Sequence, residues 1–151
     1  MFSMMIVWIH ILAAMFWIGG MLFFSLILVP SLGEMPRSER IELMSRIGRR
    51  YRKGGWISLA ILLTTGLIRL HQLNWVPLTG GRWIWAKLAL IFLMLIMTLL
   101  HDLLLGPQAI QISRSSAAPH PLQKKVRWMA RFNLLIGLFI VFAAIYVARG
   151  Y

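Results

Sequence analysis

The chain has 151 residues, of which 60% are hydrophobic and 13% are charged. A soluble domain carries charge on about a quarter of its residues, so this composition indicates an integral membrane protein. The formal net charge is +12, but the basic residues lie between the apolar runs, which argues against nucleic acid as a partner and for anionic lipid. The absence of cysteine excludes disulfides, iron–sulfur clusters, thiolate copper sites and covalent c-type haem attachment.

Four apolar runs follow one another along the chain, and they predict membrane-spanning helices over about residues 4–30, 55–73, 83–105 and 132–148. The first run reaches Pro30 without a charged side chain, and at about 1.5 Å per residue it is long enough to cross a bilayer. It has no basic start and is longer than the apolar part of a signal peptide, so we interpret it as a retained helix. The third run ends at Gly106-Pro107.

The two long connections between these runs carry most of the lysines and arginines. In the first, over residues 36–51, apolar side chains recur at helical spacing, which predicts an amphipathic helix on the membrane surface. The second, over residues 113–121, is rich in turn-forming residues. The positive-inside rule places both connections in the cytoplasm and both termini outside. We therefore expect an all-α, antiparallel four-helix bundle, forming one domain over residues 1–151 in a bacterial-type inner membrane.

Four side chains near the outer face form the first candidate site. His10 lies near the outer end of predicted helix 1, Arg69 and His71 near that of helix 2, and Lys87 near that of helix 3. Ionisable side chains inside a span are costly and usually functional. Two imidazoles can bind the iron of haem b from facing helices while cations neutralise its propionates. We assign His10 and His71 as axial ligands, and Arg69 and Lys87 as partners of the propionates or of a substrate, with Lys87 as the candidate catalytic residue.

Copper is the alternative ligand of this outer layer. His10 and His71 could bind it together with soft thioether donors from Met5, Met15 and Met21, although the neighbouring cations would repel a bare metal ion. The histidine, arginine and lysine side chains of this layer could also have no ligand and extend to the membrane interface.

A second candidate site lies at the inner end of predicted helix 3, where His101 is followed by Asp102. A carboxylate that orients a histidine is typical of metal ligands and of proton relays. In a copper transporter this pair would form the exit site. A membrane subunit or assembly factor without a cofactor, whose basic loops bind a partner, is the third function class that the sequence permits.

Two short segments resemble the copper resistance protein D (CopD) family. The stretch from His10 to Gly20, in a helix ending at Pro30, resembles the first helix of that family, and the stretch from His101 to Pro107 resembles its third-helix ending. This resemblance implies copper handling across the inner membrane, usually in a larger protein or beside a periplasmic copper carrier.

The chain is also similar to the protoporphyrinogen oxidase family called HemJ, through His10 and residues 65–67, 85–88 and 131–133. That resemblance implies haem b binding and oxidation of protoporphyrinogen, with His10 and Lys87 at the essential positions. The chain departs from the HemJ pattern at Leu134, which stands in place of an acidic residue. The main prediction is thus a haem b-binding redox or electron-transfer membrane protein. Its expected partners are the lipid bilayer, a redox partner or porphyrin substrate, and further copies of itself.

Overall fold

The computed structural model describes residues 1–75, 82–115 and 120–148. These residues form four long helices: α1 (Phe2–Glu34), α2 (Arg37–Gln72), α3 (Arg82–Ser115) and α4 (Pro121–Ala148). Each helix is long and apolar enough to cross a membrane, and the described ranges contain no strand. The all-α class is confirmed, and so is the expected number of helices long and apolar enough to span a membrane.

Helices α1 and α2 pack against each other in opposite directions. Near the end of the pair that is predicted to face outside, Arg69 donates a hydrogen bond from Nη1 to Ser3 Oγ over 2.7 Å. Towards the other end, the Tyr51 hydroxyl donates to the backbone carbonyl of Trp17 over 2.9 Å. Since residue numbers rise on one helix as they fall on the other, the pair is antiparallel.

Helices α3 and α4 form the second antiparallel pair. The rings of Trp83 and Tyr146 stack with their centroids 4.4 Å apart, and further inward Asn133 Nδ2 donates to Thr98 Oγ1 over 3.1 Å. The two pairs meet through α1 and α4, where Asn133 Nδ2 also lies 3.8 Å from Met21 Sδ. The result is the four-helix bundle that the alternation of apolar runs and basic connections predicts.

The centre of the bundle is small, and most apolar side chains point away from it. One buried residue from each helix forms the core cluster: Trp17, Leu59, Met94 and Ile136. Large apolar side chains elsewhere are widely exposed, Trp8 at 64% and Phe92 at 66% among them. In a membrane protein this outer surface contacts lipid tails, which are as apolar as the side chains themselves.

Two helices continue past the prolines that were predicted to end them. A six-residue π-helical segment precedes each proline, Phe23–Leu28 before Pro30 and Leu100–Leu105 before Pro107. Proline has no N–H to donate and its ring clashes with the carbonyl four residues back, and a wide turn accommodates both effects. The turn also explains Gly106, because a Cβ there would lie 2.8 Å from the His101 carbonyl oxygen.

The cytoplasmic helix predicted over residues 36–51 is not a separate element. It is the first part of α2, whose 36 residues extend about 54 Å, well beyond the roughly 30 Å hydrocarbon core. Helix α3 likewise runs to Ser115, so the predicted turn-rich connection of residues 113–121 begins later, and residues 116–119 lie outside the described residues. Helix α4 begins at Pro121, a position where proline is favoured. The start of α2, the end of α3 and the start of α4 thus extend the membrane-spanning helices beyond the bilayer on the predicted cytoplasmic side.

We expect Gly20→Ala to destabilise the α1–α2 pair by about 1–3 kcal/mol, because a Cβ at this position would overlap a closely packed side chain. The overlapping atoms belong to the Tyr51 ring, which cannot move freely since its hydroxyl is bonded to Trp17 and its ring packs 4.8 Å from that of Phe24. Thermal unfolding in detergent measures the change.

Gly19→Ala is the matched control, because nothing lies within 4 Å of a Cβ at that position. Its stability should stay the same or rise by up to about 1 kcal/mol, since alanine is the better helix former. Equal melting temperatures for the two variants would contradict the packing described at Tyr51.

Candidate functional site

His10 is held between α1 and α2 by a single polar partner. Its Nδ1 lies 2.7 Å from Thr65 Oγ1, and Thr65 is buried. Gly66 lies beside the ring, since a Cβ there would be 3.8 Å from His10 Cε1. A Cβ at that distance would be in ordinary van der Waals contact with the imidazole, so α2 lies close to the ring at this position.

The hydrogen bonds around Thr65 determine which ring nitrogen of His10 is free. A hydroxyl has one hydrogen to donate, and Thr65 gives it to the backbone carbonyl of Ile61 over 2.6 Å. Its oxygen therefore accepts from His10, which places the proton on Nδ1. The lone pair of the neutral ring then lies on Nε2, the nitrogen that remains available to a metal or to a proton.

The other predicted members of the outer cluster occupy different positions. Lys87 is half-buried and close enough to His10 for their charges to interact. Arg69 is exposed, and its guanidinium contacts Ser3 and Gln72. His71 is exposed and packs edge-on against Trp75, with ring centroids 6.5 Å apart. The structure thus places Lys87 within electrostatic range of His10 and leaves His71 exposed against Trp75.

His101 and Asp102 form the predicted inner pair within the π-helical segment of α3. His101 Nδ1 lies 2.9 Å from Asp102 Oδ1, and the two side chains are 34% and 18% exposed. An ionised carboxylate can only accept, so Nδ1 donates and Nε2 carries the lone pair of the neutral ring. The backbone carbonyl of Asp102 accepts a hydrogen bond from Arg52 Nη1 over 2.9 Å, which ties this turn to α2. His10 and His101 therefore both present Nε2.

An inner chamber of about 530 Å³ lies between the four helices on the side of this pair. The inner chamber is the cavity that extends from the core of the bundle to the basic helix ends. Trp17 and Asn133 line it at the depth of the core, and Ile41 and Val126 line it towards the basic ends. Its size is in the usual range of ligand pockets, about 300–1,000 Å³.

Each helix contributes one soft or borderline metal donor to the lining of the inner chamber. These donors are Met21 from α1, Met44 from α2, His101 from α3 and Met129 from α4. Of the other methionines considered from the sequence, Met5 is 56% exposed and Met15 is 64% exposed. Within the described ranges, no three His, Asp or Glu side chains lie together as a metal site. A metal in the chamber would therefore need the thioethers.

Sequence reasoning did not assign a role to two polar groups that line this chamber. Trp17 Nε1 and Asn133 Oδ1 are buried and have no hydrogen-bond partner in the described part of the chain. A buried unpaired donor or acceptor costs about 1–3 kcal/mol. The sequence signal for Asn133 is its position as a lone amide at the start of the last apolar run. Trp17 gives no such signal, because tryptophan is common in membrane helices.

Comparison with known proteins places the chain in a family. Residues 45–147 match the family described as Copper resistance protein D. The chain is also 32% identical over 146 residues to an uncharacterized protein of Aquifex aeolicus (strain VF5), covering 95% of this chain and 93% of that protein. No solved structure matches, and these matches do not confirm the resemblance to HemJ. With its four apolar helices, this multi-pass membrane protein belongs to the copper resistance protein D (CopD) family.

Proposed function

We propose that this protein binds Cu(I) and passes it across the membrane, from His10 near the outer face to the inner chamber. This conclusion reverses the order of the two functions considered from the sequence, where haem was the main prediction and copper the alternative. Family membership supports the change. Copper is the substrate in this proposal. A transported ion must be released after it is bound, so its ligands must bind it reversibly.

The observation that carries the proposal is the convergence of one donor from each helix on the inner chamber. Thioether sulfur and imidazole nitrogen suit Cu(I), which is a soft ion, and neither donor adds charge to the buried site. His101 adds the arrangement common in metal sites, because its Nδ1 is held by the Asp102 carboxylate while Nε2 stays free.

Helix α1 connects the outer histidine with the chamber. His10 and Met21 are eleven residues apart, which is close to three full turns, so both side chains lie on one face of the helix about 16 Å apart along its axis. The buried Ala13 and Trp17 lie between them on that face. We infer that copper bound at His10 moves along this face before it reaches Met21.

Copper retention by the purified protein tests the chamber. We expect the triple variant Met21→Leu, Met44→Leu, Met129→Leu to lose bound Cu(I) after dialysis in detergent, with affinity reduced about 100-fold or more. Leucine for methionine preserves volume and costs less than about 1.5 kcal/mol per site, so the fold should persist. Metal analysis at one copper per protein is the readout.

The matched control replaces three exposed methionines of α1, Met4, Met5 and Met15, by leucine. Met4 is 77% exposed and none of the three lines the chamber. This variant should retain copper as the unchanged protein does. Equal copper loss in both triple variants, or no copper in the unchanged protein, would refute the chamber as the copper site.

The direction of the route depends on membrane orientation, and we propose the one that the basic residues predict, with both termini outside. A reporter fused after Asn74 should be active outside and one fused near Ser45 in the cytoplasm. Fusions at Tyr151 and Ser116, which lie outside the described residues, provide a second outer and inner pair. A cytoplasmic reporter at Asn74 would invert the route.

Haem b binding at the outer site is the second candidate, and the closeness of Lys87 to His10 specifically favours it. A cation there suits an anionic propionate better than a bare metal ion. His10 would hold the iron through Nε2, whereas His71 is exposed against Trp75, so the described residues offer one imidazole to the iron and not a second one facing it. Bound haem would supply one-electron chemistry, and Lys87 would hold a propionate or a substrate.

The absorption spectrum separates these candidates. A Soret band that disappears in His10→Ala would support haem, and a colourless protein that retains copper would support the copper function. A redox partner and a porphyrin substrate follow only if haem is bound, and these two partners stay predictions, as does self-association. A protein with neither ligand would match the cofactor-free subunit considered from the sequence.

A further inference from the structure

The inner chamber is strongly electropositive, and this charge opposes the binding of free copper ions. Five arginines line it, against a single carboxylate, that of Asp102. The arginines are Arg37, Arg40, Arg52, Arg127 and Arg131. Because guanidinium groups do not lose their protons in proteins, this excess of positive charge is permanent. Such a lining attracts anions and repels free cations.

Two of these arginines donate hydrogen bonds to neutral acceptors. Arg52 and Arg37 each donate to a backbone carbonyl, those of Asp102 and Ser113, and a carbonyl is a neutral acceptor. The side chains of Arg40 and Arg127 have neither a hydrogen bond nor an ion pair to the part of the chain that the structure describes. Their donors are therefore available to a ligand in the chamber.

Copper must also leave the chamber for another soft ligand, and the chain cannot supply one stronger than its thioethers. It contains no cysteine, so the acceptor thiolate has to come from a second molecule. We propose that the inner chamber binds a small anionic thiol, which removes Cu(I) from the methionine and histidine donors as an anionic thiolate complex. This inference rests on the proposed copper function and adds the chemical class of the acceptor.

The transfer is a ligand exchange without a redox step. One thiol in the chamber gives its proton to water and bonds to copper through its thiolate sulfur, while the bonds from copper to the thioethers and to His101 Nε2 break; a second thiolate, its proton also given to water, binds copper as the complex leaves. Copper stays in the +1 state, and the complex has a net negative charge at its metal centre. An electropositive chamber thus favours the loaded acceptor over free Cu(I).

The chamber also fits the size and polarity of such a molecule. Its volume of about 530 Å³ admits a short peptide or an amino-acid derivative but not a folded protein. Two of its lining residues, Trp17 and Asn133, also have a buried polar atom without a hydrogen-bond partner in the described structure.

Copper-free binding of reduced glutathione to the purified protein tests this inference. We expect equilibrium dialysis to show binding that weakens about tenfold or more in Arg40→Gln, Arg127→Gln, because charge-assisted hydrogen bonds to its carboxylates are lost. The matched control is Lys124→Gln, Lys125→Gln, which removes the same charge from exposed positions outside the chamber. Arg40→Lys, Arg127→Lys should bind more tightly than the glutamine variant.

Two related probes separate charge from thiol chemistry. S-methylglutathione, which keeps the carboxylates, should bind the copper-free protein as glutathione does but fail to remove copper from the loaded protein. Cysteamine, a thiol with a positive charge, should not bind. Oleate tests the other anion that an apolar chamber could hold, that of a lipid.

Absence of glutathione binding, or an equal loss in the lysine control, would overturn the inference. Arginine-dependent binding of oleate in place of glutathione would overturn it as well, in favour of a lipid site. Because the dialysis contains no copper, a protein that holds no copper would refute the proposed function and the transfer step, while binding of the anion would still be decided separately.

Discussion

His10→Ala is expected to abolish copper uptake into proteoliposomes, with a reduction of more than about 100-fold, since a metal ligand contributes more than the outer-shell groups whose loss costs about 10–100-fold. His10 is the single histidine of α1, and only its Nδ1 has a hydrogen-bond partner in the described part of the chain. Copper bound in the inner chamber should remain after dialysis of the variant. The absorption spectrum of the same preparation tests haem binding. If the unchanged protein is colourless, the His10→Ala variant should be colourless too.

Thr65→Val provides a graded test of the same site. Valine keeps the shape of threonine but leaves His10 Nδ1 without its acceptor, so uptake should fall about tenfold. Thr64→Val is the control, because Thr64 is exposed while Thr65 is buried. Full uptake in both His10→Ala and Thr65→Val would show that the copper route does not pass the outer histidine.

Sequence reasoning located the polar groups of the spans but not their partners. His10 and the pair His101-Asp102 stand out because ionisable groups are rare in apolar runs. The partner Thr65 could not be chosen from the sequence, since a threonine can also satisfy its hydroxyl within its own helix. The pairing of His10 with His71 was a prediction from similar depth alone, and depth leaves the rotation of each helix open.

The prolines explain why helix ends were placed too early. A proline normally ends or kinks a helix, and Pro30 and Pro107 were interpreted in that way. In the structure a π-helical segment precedes each of them, and no sequence pattern distinguishes that solution from a helix end. This matters for the candidate site, because His101 and Asp102 lie within the π-helical segment of α3.

The inner chamber could not be predicted, because its lining comes from distant segments. Met44 was assigned to a surface helix, and Met129 to the residues before predicted helix 4. Methionines in apolar or amphipathic helices usually serve packing. Only the extension of α2, α3 and α4 beyond their predicted bounds brings these residues to the same cavity as Met21 and His101.

Asn133 lowers the stability of the fold through a buried, unpaired amide oxygen, and this loss of stability needs a functional explanation. Its Nδ2 is bonded to Thr98 Oγ1, whereas its Oδ1 is buried without a described partner. Leucine has a similar size and removes the unpaired oxygen, and Thr98 can turn its hydroxyl to a carbonyl of its own helix. Stability alone therefore favours an apolar residue here, and the amide is explained if it contacts the substrate or its acceptor.

Asn133→Leu is accordingly expected to separate stability from transport. The melting temperature in detergent should stay the same or rise, because about 1–3 kcal/mol of desolvation cost is removed, while copper uptake should fall about tenfold through loss of a polar contact in the chamber. Gln111→Leu is the control, since Gln111 is an exposed amide of α3 that does not line the chamber, and it should leave both quantities unchanged. A lower melting temperature with full uptake would make Asn133 a structural residue, because the hydrogen bond to Thr98 would then outweigh the unpaired oxygen.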